Sequence, residues 1–116
     1  MDVKEFYSKI NVDGDVVLRR FMGKETMVIR FLKKFLDDGN FAGLDEALKN
    51  GDYEKVLVAA HSLKGVSGNL GLDCLYNEST EIVKAVREGR KEEVAPRFEK
   101  LKKDYQEIVQ MIREFQ

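Results

Sequence analysis

The chain is short of several residue types on which common chemistries depend. Its 116 residues include one cysteine, one histidine, one proline and no tryptophan. A lone Cys74 excludes an internal disulfide and fits a reducing compartment. One histidine and one cysteine cannot assemble a zinc site without carboxylate help. Ser62 and Ser67 have no second histidine to act as base, and Ser62 lies about 100° from His61 round a helix, so a nucleophilic triad is not supported. No apolar run is long enough to span a bilayer, and Met1-Asp2-Val3-Lys4-Glu5 lacks the basic-then-apolar layout of a signal peptide. Formal net charge is −1, which leaves no global field to attract nucleic acid or an anionic membrane. Arg87, Arg90 and Lys91 alternate with Glu88, Glu92 and Glu93 and read as a solvated helix end. The glycines at 65, 68 and 71 stand in the wrong order for a P-loop, and no strand precedes them. A cytoplasmic monomer with no nucleic-acid or membrane partner is expected.

What the chain does have is helical periodicity. Hydrophobic residues make up 43% and charged residues 35%, a balance suited to helices with solvated outer faces around one core. Val3, Phe6, Tyr7 and Ile10 form a short stripe ending near Asn11-Val12-Asp13-Gly14, and Val16, Val17, Arg20 and Phe21 form a second, closed by Gly23. Met27, Val28, Phe31, Leu32, Phe35 and Leu36 continue at three- and four-residue spacing into Phe41–Leu48. That stretch reads as one long, kinked helix, with two helices as the alternative. Asn50-Gly51-Asp52 stops it and offers an N-cap to a helix over Tyr53–Leu70. A further helix turns Leu75, Ile82, Val83 and Val86 inward and ends at Glu88-Gly89-Arg90. In the last, Val94, Phe98, Leu101, Tyr105, Ile108, Ile112 and Phe115 make a heptad-like seam, and Pro96 is tolerable in its first turn. The pattern predicts an all-α fold, an antiparallel four-helix bundle with short N-terminal capping helices, forming a single domain over residues 1–116. Phe21, Phe31 and Phe35 are expected in the core, and Cys74 as a buried small apolar residue.

His61 stands out by its placement. At about 100° per residue, Val56, Ala59, Ala60, Leu63, Val66 and Leu70 gather on one side of its helix. His61 points nearly the opposite way and shares its face with Lys64, Gly65 and Gly68. Glycines within a helix each cost about 1 kcal/mol relative to alanine, a cost more readily carried where another backbone must come close. An exposed imidazole, a cation one turn away and no bulk beside it suit a histidine that another protein reaches and that carries negative charge. The common reading of a lone histidine, a satisfied core residue, is disfavoured by the helical projection.

The run Ala60-His61-Ser62-Leu63-Lys64-Gly65, continued by Gly68-Asn69-Leu70-Gly71, resembles the signature of histidine-containing phosphotransfer (HPt) domains of bacterial phosphorelays. The likeness extends upstream through Leu18-Arg19-Arg20-Phe21-Met22-Gly23, Phe31 and Phe35, and Ala47-Leu48-Lys49-Asn50-Gly51-Asp52, so that it covers about Asp13 to Gly89. It implies that His61 accepts and donates the phosphoryl group, that Lys64 helps offset the phosphate charge, and that Gly65 and Gly68 leave room for the partner. Asn69 and Gly71 are implied as structural parts of the signature. The implied partners are a response-regulator receiver domain and an upstream, hybrid histidine kinase. The implied cofactor list is empty, with magnesium carried by the receiver, and there is no kinase activity or ATP site of its own. A start at Met1 and an end in a complete helix favour a stand-alone shuttle. Two rivals remain: a non-catalytic adaptor that binds a receiver without phosphotransfer, and a dimerisation module using the last-helix seam.

Overall fold

Aspartates start three of the helices. In the computed structural model, which describes residues 1–115, the Asp2 carboxylate accepts from the Glu5 amide at 2.8 Å and opens α1 (Val3–Lys9). Asp13 accepts from the Asp15 amide at 2.9 Å and opens α2 (Gly14–Arg20). Asp52 accepts from the Lys55 amide at 3.2 Å and opens α5 (Tyr53–Asn69). Each side chain satisfies an amide that has no partner inside the helix. Between them run α3 (Glu25–Phe35) and α4 (Asn40–Lys49); α6 (Asp73–Arg87), a 3-10 turn at Lys91–Glu93 and α7 (Val94–Arg113) complete the chain. No strand occurs among the described residues.

The long helix expected over Lys24–Leu48 is broken in two. Leu36, Asp37 and Asp38 bond back three residues, to the carbonyls of Lys33, Lys34 and Phe35, which tightens the last turn of α3. Asp38 Oδ1 then accepts from the Asn40 amide at 2.9 Å and restarts the chain as α4. The apolar period carries across the break because both pieces feed one aromatic group. Phe41 stacks on Tyr105 at 3.9 Å, and Phe35 meets the same ring edge-on at 5.8 Å.

Successive helices pack on one another: α4 on α5, α5 on α6, and α6 on α7, while α3 returns to α7. The seam of α7 lies inside the chain, with Val94, Phe98, Leu101, Ile108, Ile112 and Phe115 all buried and Tyr105 half-buried. It is therefore not a free surface for dimerisation. Pro96 falls in the first turn of α7, where its missing amide costs nothing.

Helix α1 is tied to the far end of α5. The buried Tyr7 hydroxyl donates to the Leu70 carbonyl at 2.6 Å, across 63 positions of sequence. Burial pushes the Tyr7 phenol well above its ordinary range, so the hydroxyl remains a donor. Tyr7→Phe would strand the Leu70 carbonyl and is expected to cost about 1–2 kcal/mol, measured by urea unfolding. An unchanged midpoint would mean that water replaces the bond.

Gly71 closes α5. Its φ is +69°, its amide bonds to the Gly68 carbonyl at 3.3 Å, and the Leu72 amide bonds to the Ser67 carbonyl at 2.9 Å, the paired bonds of a Schellman cap.

Candidate functional site

Helix α5 presents two unlike sides. Val56, Ala60, Leu63 and Leu70 are buried and Ala59 and Val66 half-buried, as the projection requires, and Ser67 joins them in the core. The opposite side carries His61, which is exposed near the middle of the helix, well away from either fraying end. One turn before it, Val58 is 67% exposed, an apolar side chain offered to water beside the imidazole. Sequence reading passed over Val58, although its position three residues before His61 was the available signal.

Lys64 and Gly65, three and four residues beyond His61, are its neighbours on the helix surface. Gly65 is exposed, and a Cβ built there would meet nothing within 4 Å. The helix backbone is thus bare beside His61. Lys64 is half-buried and holds its ammonium 5.7 Å from the centre of the Tyr76 ring, contributed by α6. Lys4, Lys49, Lys55, Lys100, Arg90 and Arg97 find carboxylates within 4 Å. Like most of the chain's lysines and arginines, Lys64 has none among the described residues, so its charge remains available to an incoming anion.

Gly68 differs from Gly65. A Cβ at Gly68 would lie 3.1 Å from Cδ2 and 3.3 Å from Cε2 of Tyr76, so the space it leaves is filled from within the chain. Its carbonyl accepts from Arg20 Nη1 of α2 at 2.9 Å. Gly65 is therefore the position where the backbone stands open to another molecule, while Gly68 seats an aromatic ring of its own protein. Asn69 is exposed, and Gly71 is buried against Val17 and Tyr7.

Beyond Gly68 the surface dips into an open groove of about 620 Å³, walled by Phe21, Phe31 and Phe35 and edged by Arg20, Lys34 and Asp38. Of the three aromatics expected in the core only Phe35 is buried; Phe21 and Phe31, 5.5 Å apart, are half-buried at this wall. They line a surface because the turn at Met22-Gly23 places α2 and α3 beside the C-terminal end of α5 without covering it. Met22, 74% exposed with φ of 56°, forms that turn.

Cys74 is half-buried where full burial was expected, and burial raises its thiol to about 11, which keeps it protonated and unreactive near neutral pH. Arg90 pairs with Glu88 at 2.8 Å and Glu93 at 2.6 Å, so the basic cluster is the solvated helix end that its composition indicated. Among the described residues no three His, Cys, Asp or Glu side chains converge as a metal site. No helix among the described residues is long and apolar enough to cross a membrane.

Comparison with known proteins bears on the family and the fold. The family model described as the Hpt domain matches residues 30–111, well over half of the chain. Among solved structures, the HPT domain of an Hpt sensor hybrid histidine kinase from Shewanella superposes with a TM-score of 0.78 at 20% identity, covering 90% of this chain and 92% of that one. At that identity the likeness speaks to the fold. No curated protein matches by sequence. The match of residues 30–111 spans the exposed histidine, the lysine beside it, α5, α6 and most of α7, and the chain belongs to the Hpt domain family, with a role in histidine phosphotransfer.

Proposed function

We propose that His61 is the phosphoryl-carrying residue of this domain, accepting from and returning to the aspartate of a receiver domain. The observation that carries this reading is the exposed imidazole flanked by an unpaired Lys64 and the bare backbone of Gly65. In the forward step an imidazole nitrogen attacks phosphorus in line, the P–N bond forms, and the P–O bond to the receiver's carboxylate breaks. The carboxylate leaves with the bonding pair, and the imidazole releases its proton to water. Such a transfer needs chiefly alignment and charge neutralisation. Alignment comes from a histidine fixed on the middle of a packed helix, and neutralisation from the Lys64 ammonium.

The chain supplies one nucleophile and one cation; the receiver supplies magnesium and its acidic ligands. The domain therefore acts as a relay intermediate, with no cofactor and no ATP site of its own, partnered by receiver domains and an upstream hybrid kinase. Gly65 gives the receiver room to approach, and Gly68 lies on the same docking face at the edge of the groove. The protein works as a monomer in the cytoplasm, as one domain over residues 1–116. Its frame is an antiparallel four-helix bundle in which α3 and α4 together count as one member, with α1 and α2 capping one end. A receiver-binding adaptor without phosphotransfer is not favoured, since the chain belongs to a family of phosphotransfer domains.

The test is incubation of the chain with a phosphorylated receiver domain. Label that is acid-labile and base-stable on this chain supports phosphohistidine; binding without label would favour the adaptor. Lys64→Ala is expected to slow transfer about tenfold, the low end for loss of a charged contact to an exposed phosphate, measured by rapid quench. A rate within twofold of the unmutated chain would remove Lys64 from the site.

A further inference from the structure

We infer that Tyr76 is a positioning residue for Lys64, its ring laid over Gly68 to hold the ammonium on the His61 face. The inference rests on the phosphotransfer reading above and adds to it a residue from a second helix. Three observations converge on the ring. Tyr76 belongs to α6, yet it reaches across to α5 and lies against Gly68, with Cδ2 only 3.1 Å from where a Cβ would stand. The seat exists because residue 68 has no side chain. Lys64 Nζ lies 5.7 Å from the ring centre, inside the about 6 Å reach of a cation–π contact. The tyrosine is 37% exposed, so it stands at the surface in part, as a residue serving a surface lysine must.

The chemistry of the contact matters. A carboxylate beside Lys64 would fix the side chain equally well, but it would also cancel the charge that a phosphoryl group requires. The face of an aromatic ring attracts a cation through its quadrupole and carries no net charge. Tyr76 can thus reduce the freedom of a flexible four-carbon side chain while leaving the full positive charge for the anion. On this reading Gly68 acts at one remove, by making the seat, and Gly65 acts directly, by leaving the backbone bare.

The experiment compares phosphoryl transfer from a phosphorylated receiver to the unmutated chain, Tyr76→Leu and Tyr76→Phe, each with Lys64 present and with Lys64→Ala. Tyr76→Leu is expected to slow transfer about two- to fivefold, the range of an exposed cation–π contact, and Tyr76→Phe is expected to restore it. In the Lys64→Ala background the three residues at 76 should give equal rates. Proton NMR of the intact chain gives a readout independent of transfer. The Lys64 ε-methylene signals should be shifted upfield by the ring in the unmutated protein and in Tyr76→Phe, and should relax toward ordinary lysine values in Tyr76→Leu. Unshifted ε-methylene signals in the unmutated chain, an unimpaired Tyr76→Leu, or the same loss in both Lys64 backgrounds would each overturn the inference. If the unmutated chain takes no label at all, the phosphotransfer reading fails and this inference fails with it. That outcome is told apart from a failure of Tyr76 by the unmutated control.

Discussion

His61→Gln is expected to accept no phosphoryl group from any receiver while keeping its helix content and unfolding midpoint. Glutamine matches the reach of histidine and offers polar atoms, but its amide is not a nucleophile toward phosphorus. Because His61 is exposed, on the side of α5 opposite Val56, Ala60 and Leu63, the change leaves the core untouched. An exposed substitution of this kind is usually within about 0.5 kcal/mol in stability. The expected result is thus complete loss of transfer with no loss of fold, read by phosphoryl labelling alongside circular dichroism. Residual labelling of His61→Gln would move the acceptor elsewhere, and no second histidine exists to receive it.

The second large effect separates two glycines six positions apart on the same helix and its cap. Gly71→Ala places a Cβ 2.5 Å from Val17 Cγ2, at a backbone φ of +69°. The left-handed conformation costs a residue with a Cβ about 1–2 kcal/mol. Val17 is buried and stiff about χ1, so it cannot simply swing aside, and overpacking adds about 1–3 kcal/mol more. A loss of about 2–5 kcal/mol in all is expected, measured as a lower urea midpoint. Gly65→Ala should do the reverse. Its Cβ would meet nothing, and alanine in a helix interior is favoured over glycine by about 0.5–1 kcal/mol. The variant should be slightly more stable than the unmutated chain and slower in transfer, because the added methyl stands where the receiver must approach. If Gly65→Ala leaves transfer intact, Gly65 has no part in docking. If Gly71→Ala unfolds at the unmutated midpoint, the cap has another conformation open to it.

Much of this was readable from the residues, for physical reasons that differ by position. Gly51, Gly71 and Gly89 all have positive φ just beyond a helix, and glycine at such points is a local signal that needs no tertiary knowledge. The orientation of His61 was legible because helical projection depends only on spacing, and α5 runs unbroken through the whole segment. The break between α3 and α4 was less so. It lies in the tightened turn at residues 36–38 and in the Asp38 bond to the Asn40 amide, whereas the hydrophobic period runs through the break undisturbed. The surface position of Phe21 and Phe31 was hidden because it depends on how far α2 and α3 stand from the end of α5, a distance that no local pattern encodes. Ser67 reads as polar yet is buried, since the projection that placed Leu63 and Leu70 inside also turns position 67 inward.

Tyr76 was the least legible of all. In sequence it is an aromatic residue near the start of a helix, twelve positions from Lys64 and eight from Gly68. The packing of α6 on α5 brings the three together and gives Gly68 a structural purpose beside its expected one. Both the likeness to HPt domains and the helical projection pointed to the lysine and the glycines as one cluster. What holds that cluster in place comes from the neighbouring helix.

The most direct measurement is the location of the phosphoryl group after transfer from a phosphorylated receiver, mapped by mass spectrometry under alkaline conditions that preserve phosphohistidine. Phosphate on the peptide containing His61, and on no other, is the result expected of a relay intermediate. Phosphate on another residue, or a bound receiver with no phosphate delivered, would contradict it.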